Sequence, residues 1–170
     1  MIALPIRPPE PVAGPERDQL MGWLDFHRAT LLMKCAGLDD DSLRRRALPP
    51  SNLTLLGLLQ HMALVEIWWF DTILLNADTH LPFASDDDPD SEFNVLDTMS
   101  PEEVASVFLA NCQRSRELAA PLALETMAAR VRPGESVDLR WIYLHMIEEY
   151  ARHNGHADLL REVLDGTTGL

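Results

Sequence analysis

The chain has 170 residues, 46% of them hydrophobic, and a formal net charge of −13. That length fits one domain with a core large enough to stand without disulfides. The apolar fraction points to a globular fold and away from disorder, while the acidity repels phosphate backbones and disfavours nucleic acid as a partner.

The opening stretch, MIALPIRPPEPVAGP, is Pro-rich and lacks the basic-then-apolar order of an export signal. Residues 1–14 read as a flexible arm or a surface wrap ahead of a domain spanning 15–170. No apolar run reaches the roughly 18 residues of a membrane span, so the cytoplasm is the expected compartment and no membrane partner is expected. Four long segments carry helical periodicity, and no strand-like alternation competes with them. The first is predicted from about Glu16 to Gly37, with Pro15 suited to the first turn and Gly37 to the stop. The second follows Pro49-Pro50, with Ser51 or Asn52 as cap, and runs from about Thr54 to Asn76. The third opens on Ser100-Pro101-Glu102-Glu103, a capping-box signal, and is predicted to reach about Met127. The fourth runs from near Asp138 to Asp165-Gly166.

Residues 77–98 form a long connection that includes Ser85-Asp86-Asp87-Asp88-Pro89-Asp90. A link of this length can cross a whole bundle, so the second and third helices need not be antiparallel neighbours. The acidic stretch lacks the glycine and closing Glu of a calcium loop and reads as solvated. Cys35 and Cys112 lie in different helices outside any CxxC, and read as reduced packing residues. The run Arg44-Arg45-Arg46 follows Asp39-Asp40-Asp41 and reads as a solvated patch.

The chemistry concentrates in the fourth helix, LRWIYLHMIEEYARHNGHADLLREVL. At about 100° per residue, with His145 at zero, Glu149 falls near 40°, His153 near 80° and His156 near 20°. Ile142, Leu160 and Val163 share that stripe, which makes it the core face. Four ionisable residues on a core face are costly unless they are paired or bind a cation. Glu149 and His153, four residues apart, meet on adjacent turns. In the second helix, TLLGLLQHMALVEIWWF, His61 shares an apolar face with Thr54, Leu58, Val65 and Trp68, while Gln60 and Glu66 point elsewhere. His61, Glu149 and His153 are therefore the candidate metal ligands. His156 is a candidate general base or extra ligand. His145 reads as a supporting or packing residue, and His27 as a core or pocket-wall residue.

Taken together, TLLGLLQHMALVEIWWF, LRWIYLHMIEEYARHNGHADLLRE and DGTTG resemble the DinB-like superfamily, in particular its actinobacterial branch related to mycothiol-dependent metalloenzymes such as maleylpyruvate isomerase. The resemblance covers nearly all of the chain after about residue 15. It implies an all-α four-helix bundle and one metal held by a His from the second helix and an i, i+4 pair from the last. Many such proteins carry His at both positions of that pair; Glu149 followed by His153 is similar to the isomerase pattern. His156 departs from the Gln common at that place.

Two imidazoles and a carboxylate suit zinc, with nickel, iron or manganese as alternatives. Such a centre lowers the pKa of a bound thiol. With no cysteine near the site, the thiol is expected to be a low-molecular-weight cosubstrate, which the resemblance implies is mycothiol. S-transfer to, or thiol-assisted isomerisation of, a small electrophile follows. Trp68 is a candidate wall of the substrate pocket, and Arg152 a candidate contact for a cosubstrate carboxylate or a surface ion pair. Metal-assisted hydrolysis and a non-catalytic, metal-stapled binding module remain open. A homodimer is also compatible with an apolar helix face.

Overall fold

A computed structural model describes residues 1–94, 97–131 and 135–169. Among these residues the chain is all-helical, with no strand beyond one isolated bridge between Met127 and Asp138. The α-helices are α1 (Glu16–Cys35), α2 (Asp40–Arg44), α3 (Leu55–Ile67), α4 (Ser91–Asn94), α5 (Pro101–Ala119) and α6 (Leu139–Asp165). A π-helical turn, Trp68–Ile73, continues α3. No helix is long and apolar enough to cross a membrane among the described residues.

Local chemistry sets most helix ends. The backbone N–H of Glu103 donates to Ser100 Oγ, and Ser100 N donates back to Glu103 Oε2 at 2.8 Å, the expected capping box of α5. Asp138 accepts from Trp141 N at 2.8 Å to start α6, and Gly166, at φ 78°, ends it in the left-handed region. Three expectations shift. Thr54, not Ser51 or Asn52, caps α3, accepting from Gly57 N at 2.9 Å. Pro15 precedes α1 as its N-cap instead of lying within the first turn. α5 stops at Ala119 and does not reach Met127, because Pro121 has no N–H to donate and its ring obstructs a further helical turn.

α1 packs along α6 and α3 along α5, while α3 also touches α1 and α6. α3 is consequently buried on nearly every side: Gln60 and Glu66 are inside along with Leu55, Leu58, Leu59 and Met62. The expectation that Gln60 and Glu66 sit off the packed face therefore gives way. Glu66 is tolerated there because Arg28 of α1 grips it bidentately, Nε to Oε1 at 2.8 Å and Nη2 to Oε2 at 2.6 Å. Tyr150 of α6 donates to Glu66 Oε1 at 2.7 Å. Burial by itself would raise the Glu66 pKa, but the Arg28 charge together with the hydrogen bonds from Arg28, Ser115 and Tyr150 outweighs it and holds the carboxyl below its usual range. On α6, Ile142 and Leu160 are buried as expected, whereas Val163 is exposed and the last turn leans on Leu160 and Leu164.

Ahead of α1, Ile2 is buried, its carbonyl accepts from Gly37 N at 3.3 Å, and the Arg7 guanidinium lies 4.5 Å over the Phe26 ring. Pro11 lies against Gly22, where a Cβ would come within 3.0 Å of it.

Candidate metal centre

α3 and α6 bring His61, Glu149 and His153 together, and the ligating atoms of the three lie within 4.8 Å of one another. The His61 and His153 rings stand edge to face with centroids 4.7 Å apart. Along α6, one turn sets Glu149 Oε2 3.4 Å from His153 Nε2. Ligands on a tetrahedral zinc with bonds of ~2.1 Å stand ~3.4 Å apart. The α6 pair is thus already at chelating separation, and no two ligating atoms of the full set are more than 4.8 Å apart. The donor chemistry, two imidazoles and a carboxylate, fits a divalent cation.

Each donor has a fixed outer contact. Arg152 donates to Glu149 Oε1 at 2.8 Å and also pairs with Glu148, leaving Glu149 Oε2 toward His153. His153 Nδ1 faces His156 Nδ1 at 3.4 Å, so His156 meets the centre through His153 and stands outside the group of three. His61 Nδ1 faces Glu92 Oε1 at 3.1 Å. Burial, followed by the neighbouring His61, pushes the His153 pKa down to about 4. The imidazole is therefore neutral at physiological pH, as a ligand must be.

One turn toward the start of α6, His145 stacks on Trp141 with centroids 4.9 Å apart and meets Trp69 at 4.6 Å. With Glu148 and Glu149 it forms a second acidic-histidine group sharing Glu149. Beyond it opens a cavity of about 730 Å³ lined by Trp68, Trp69, Ile73, Val137 and Trp141, with Arg130 and Glu135 among its polar groups. Trp68 faces this cavity, and Arg152 is engaged by the two glutamates. His27 accepts contacts from Asn154 Nδ2 at its ring and its carbonyl, and burial lowers its pKa. His80 is exposed in the connection.

Sequence reasoning did not single out Glu92, Phe93, Trp69 or Trp141. The Asp88-Pro89 pair ahead of Ser91-Glu92 is a helix-start signal that could have flagged Glu92. Both cysteines are buried and uninvolved. Burial pushes Cys35 up to about 12, and burial followed by the Glu66 charge raises Cys112 further.

No curated protein matches the chain. Residues 19–166 match the family described as MST, mycothiol-S-transferase, in agreement with the resemblance carried by the α3 and α6 motifs. With that match spanning α3, the connection, α5 and α6, the chain belongs to the mycothiol S-transferase family.

Proposed function

We propose that the chain is a metal-dependent enzyme that activates a low-molecular-weight thiol, mycothiol by family membership, for transfer to a small electrophile. The observation that carries this reading is the convergence of His61, Glu149 and His153 from two helices. On this reading the four long helices form a DinB-like bundle around one divalent ion, zinc by donor type, with nickel, iron or manganese as accepted substitutes.

A divalent cation in this place lowers the pKa of a bound thiol so that it reacts as thiolate. The chain's own thiols are held protonated by burial, so the reacting sulfur comes from the cosubstrate. His61, Glu149 and His153 hold the ion, and Arg152 fixes which Glu149 oxygen is presented. His153, ligating through Nε2, carries its proton on Nδ1 and donates it to His156 Nδ1, so His156 orients His153 and the thiol proton passes to solvent. The tryptophan-lined cavity, Trp68 included, takes the apolar part of the electrophile and excludes water from it. Sulfur then bonds to the electrophilic carbon, and the displaced group leaves with the electrons of its bond. In an isomerisation the same sulfur adds and is later expelled.

The test is turnover of a small electrophile by the zinc-loaded protein, with and without mycothiol. Product that forms only when both metal and thiol are present supports the reading. Equal turnover without thiol replaces it by metal-assisted hydrolysis.

A further inference from the structure

The long connection carries a device aimed at His61. Within it, α4 seats Glu92 against α3, 8% exposed, with Oε1 3.1 Å from His61 Nδ1. The next residue, Phe93, stacks on the His61 ring, centroids 5.0 Å apart and planes 28° from parallel. α4 itself is anchored: Ser91 Oγ donates to the Phe83 carbonyl at 2.7 Å, and Asn94 Nδ2 donates to Asp88 Oδ2 at 2.9 Å.

The approach of α4 is eased by a glycine. Gly57 lies one turn before His61 on α3, and a Cβ there would come within 3.3 Å of Phe93 Cδ1 and 3.4 Å of Phe93 Cα. The missing side chain spares α4 a shift of a few tenths of an ångström where it lies on α3 beside the histidine.

A carboxylate only accepts hydrogen bonds, so a His61 nitrogen facing Glu92 carries the proton. The proton is thereby fixed on Nδ1, and Nε2 is left with its lone pair. Glu92 is outside the group of three whose ligating atoms cluster, which sets it apart from the ligands themselves. We propose that Glu92 is a positioning residue for His61, fixing its tautomer through Nδ1 while Phe93 fixes the ring plane, so that Nε2 is presented to the cation. This rests on the metal reading above.

The test uses the full chain with Glu92→Gln and Glu92→Ala, titrated with Co²⁺, alongside nitrogen NMR of His61 in metal-free protein at mildly alkaline pH. Glu92→Gln keeps an acceptor oxygen and removes the charge, whereas Glu92→Ala removes both. The expected results are a ~10-fold affinity loss for Gln and a larger loss, up to ~100-fold, for Ala. Metal-free wild type should hold His61 protonated on Nδ1, and Glu92→Ala should mix the two tautomers. Wild-type affinity in both variants, or a wild-type His61 protonated on Nε2, overturns the proposal. So does a lower metal-free Tm with tautomer and affinity unchanged, because that is a packing role alone. If Glu92→Ala does not fold, Glu92→Gln and the wild-type tautomer decide. If wild type binds no Co²⁺, the metal reading fails, and the tautomer still reports separately on Glu92.

Discussion

His153 Nε2 and Glu149 Oε2 sit 3.4 Å apart on consecutive turns of α6, with Arg152 holding the other Glu149 oxygen at 2.8 Å. The carboxylate is thus shared between a cation at the surface and an imidazole inside. The arrangement presents one oxygen, not two, beside the neutral ring.

Loss of a ligand should separate the centre from the fold. His61→Ala and His153→Ala are each expected to lower Zn²⁺ or Co²⁺ affinity by more than the ~10–100-fold that removal of a supporting partner costs. Elemental analysis of purified protein checks this. One equivalent of metal retained by both variants would exclude His61 and His153 as ligands. Arg152→Ala should shift stability by no more than ~1 kcal/mol, since its side chain is 52% exposed and its ion pairs are screened.

Glu66 should behave in the opposite way. Glu66→Ala removes the bidentate partner of a buried Arg28, leaving it only Asp25, and is expected to cost up to ~3–5 kcal/mol in chemical denaturation. Metal stoichiometry in the folded fraction should stay at the wild-type value, because Glu66 is outside the ligand group.

The metal-free protein should also report on His153 through pH. Its pKa in the fold is about 4, against 6.5 ordinarily, so the unfolded chain takes up a proton that the folded chain refuses. Stability attributable to this residue is therefore complete above about pH 6.5 and declines as pH falls toward about 4. Urea midpoints measured across that window should flatten in His153→Asn. An NMR titration placing the wild-type His153 midpoint near 6.5 would contradict the buried, neutral imidazole.

Much of this was legible because helices write a short period into sequence. The stripe His145, Glu149, His153, His156 needed only the pitch of one helix, and His61 stood out as a polar break in an apolar run. The start of α5 and both ends of α6 were readable from side chains that cap within three residues. Glu92 was not readable in the same way. Its importance comes from a connection folding back onto α3, and nothing local marks where a loop will land. Glu66 was misplaced because a wheel assumes a solvent-facing side, and α3 has almost none. Arg28, far along the chain, is what makes that burial tolerable. Trp69 escaped notice because the wheel assumes an unbroken α-helical pitch through residues 68–73.

That break in pitch separates two specificities on one continuous stretch of backbone. His61 lies before the π-helical turn and Trp69 lies inside it, facing Trp141 and His145. Deleting one residue from 68–73 would let this turn relax to α-helical pitch, keeping the residues on either side in register and shifting Trp69 alone against its ring partners. A single-codon loss in this turn would therefore reshape the aromatic cluster while His61 keeps its place on α3.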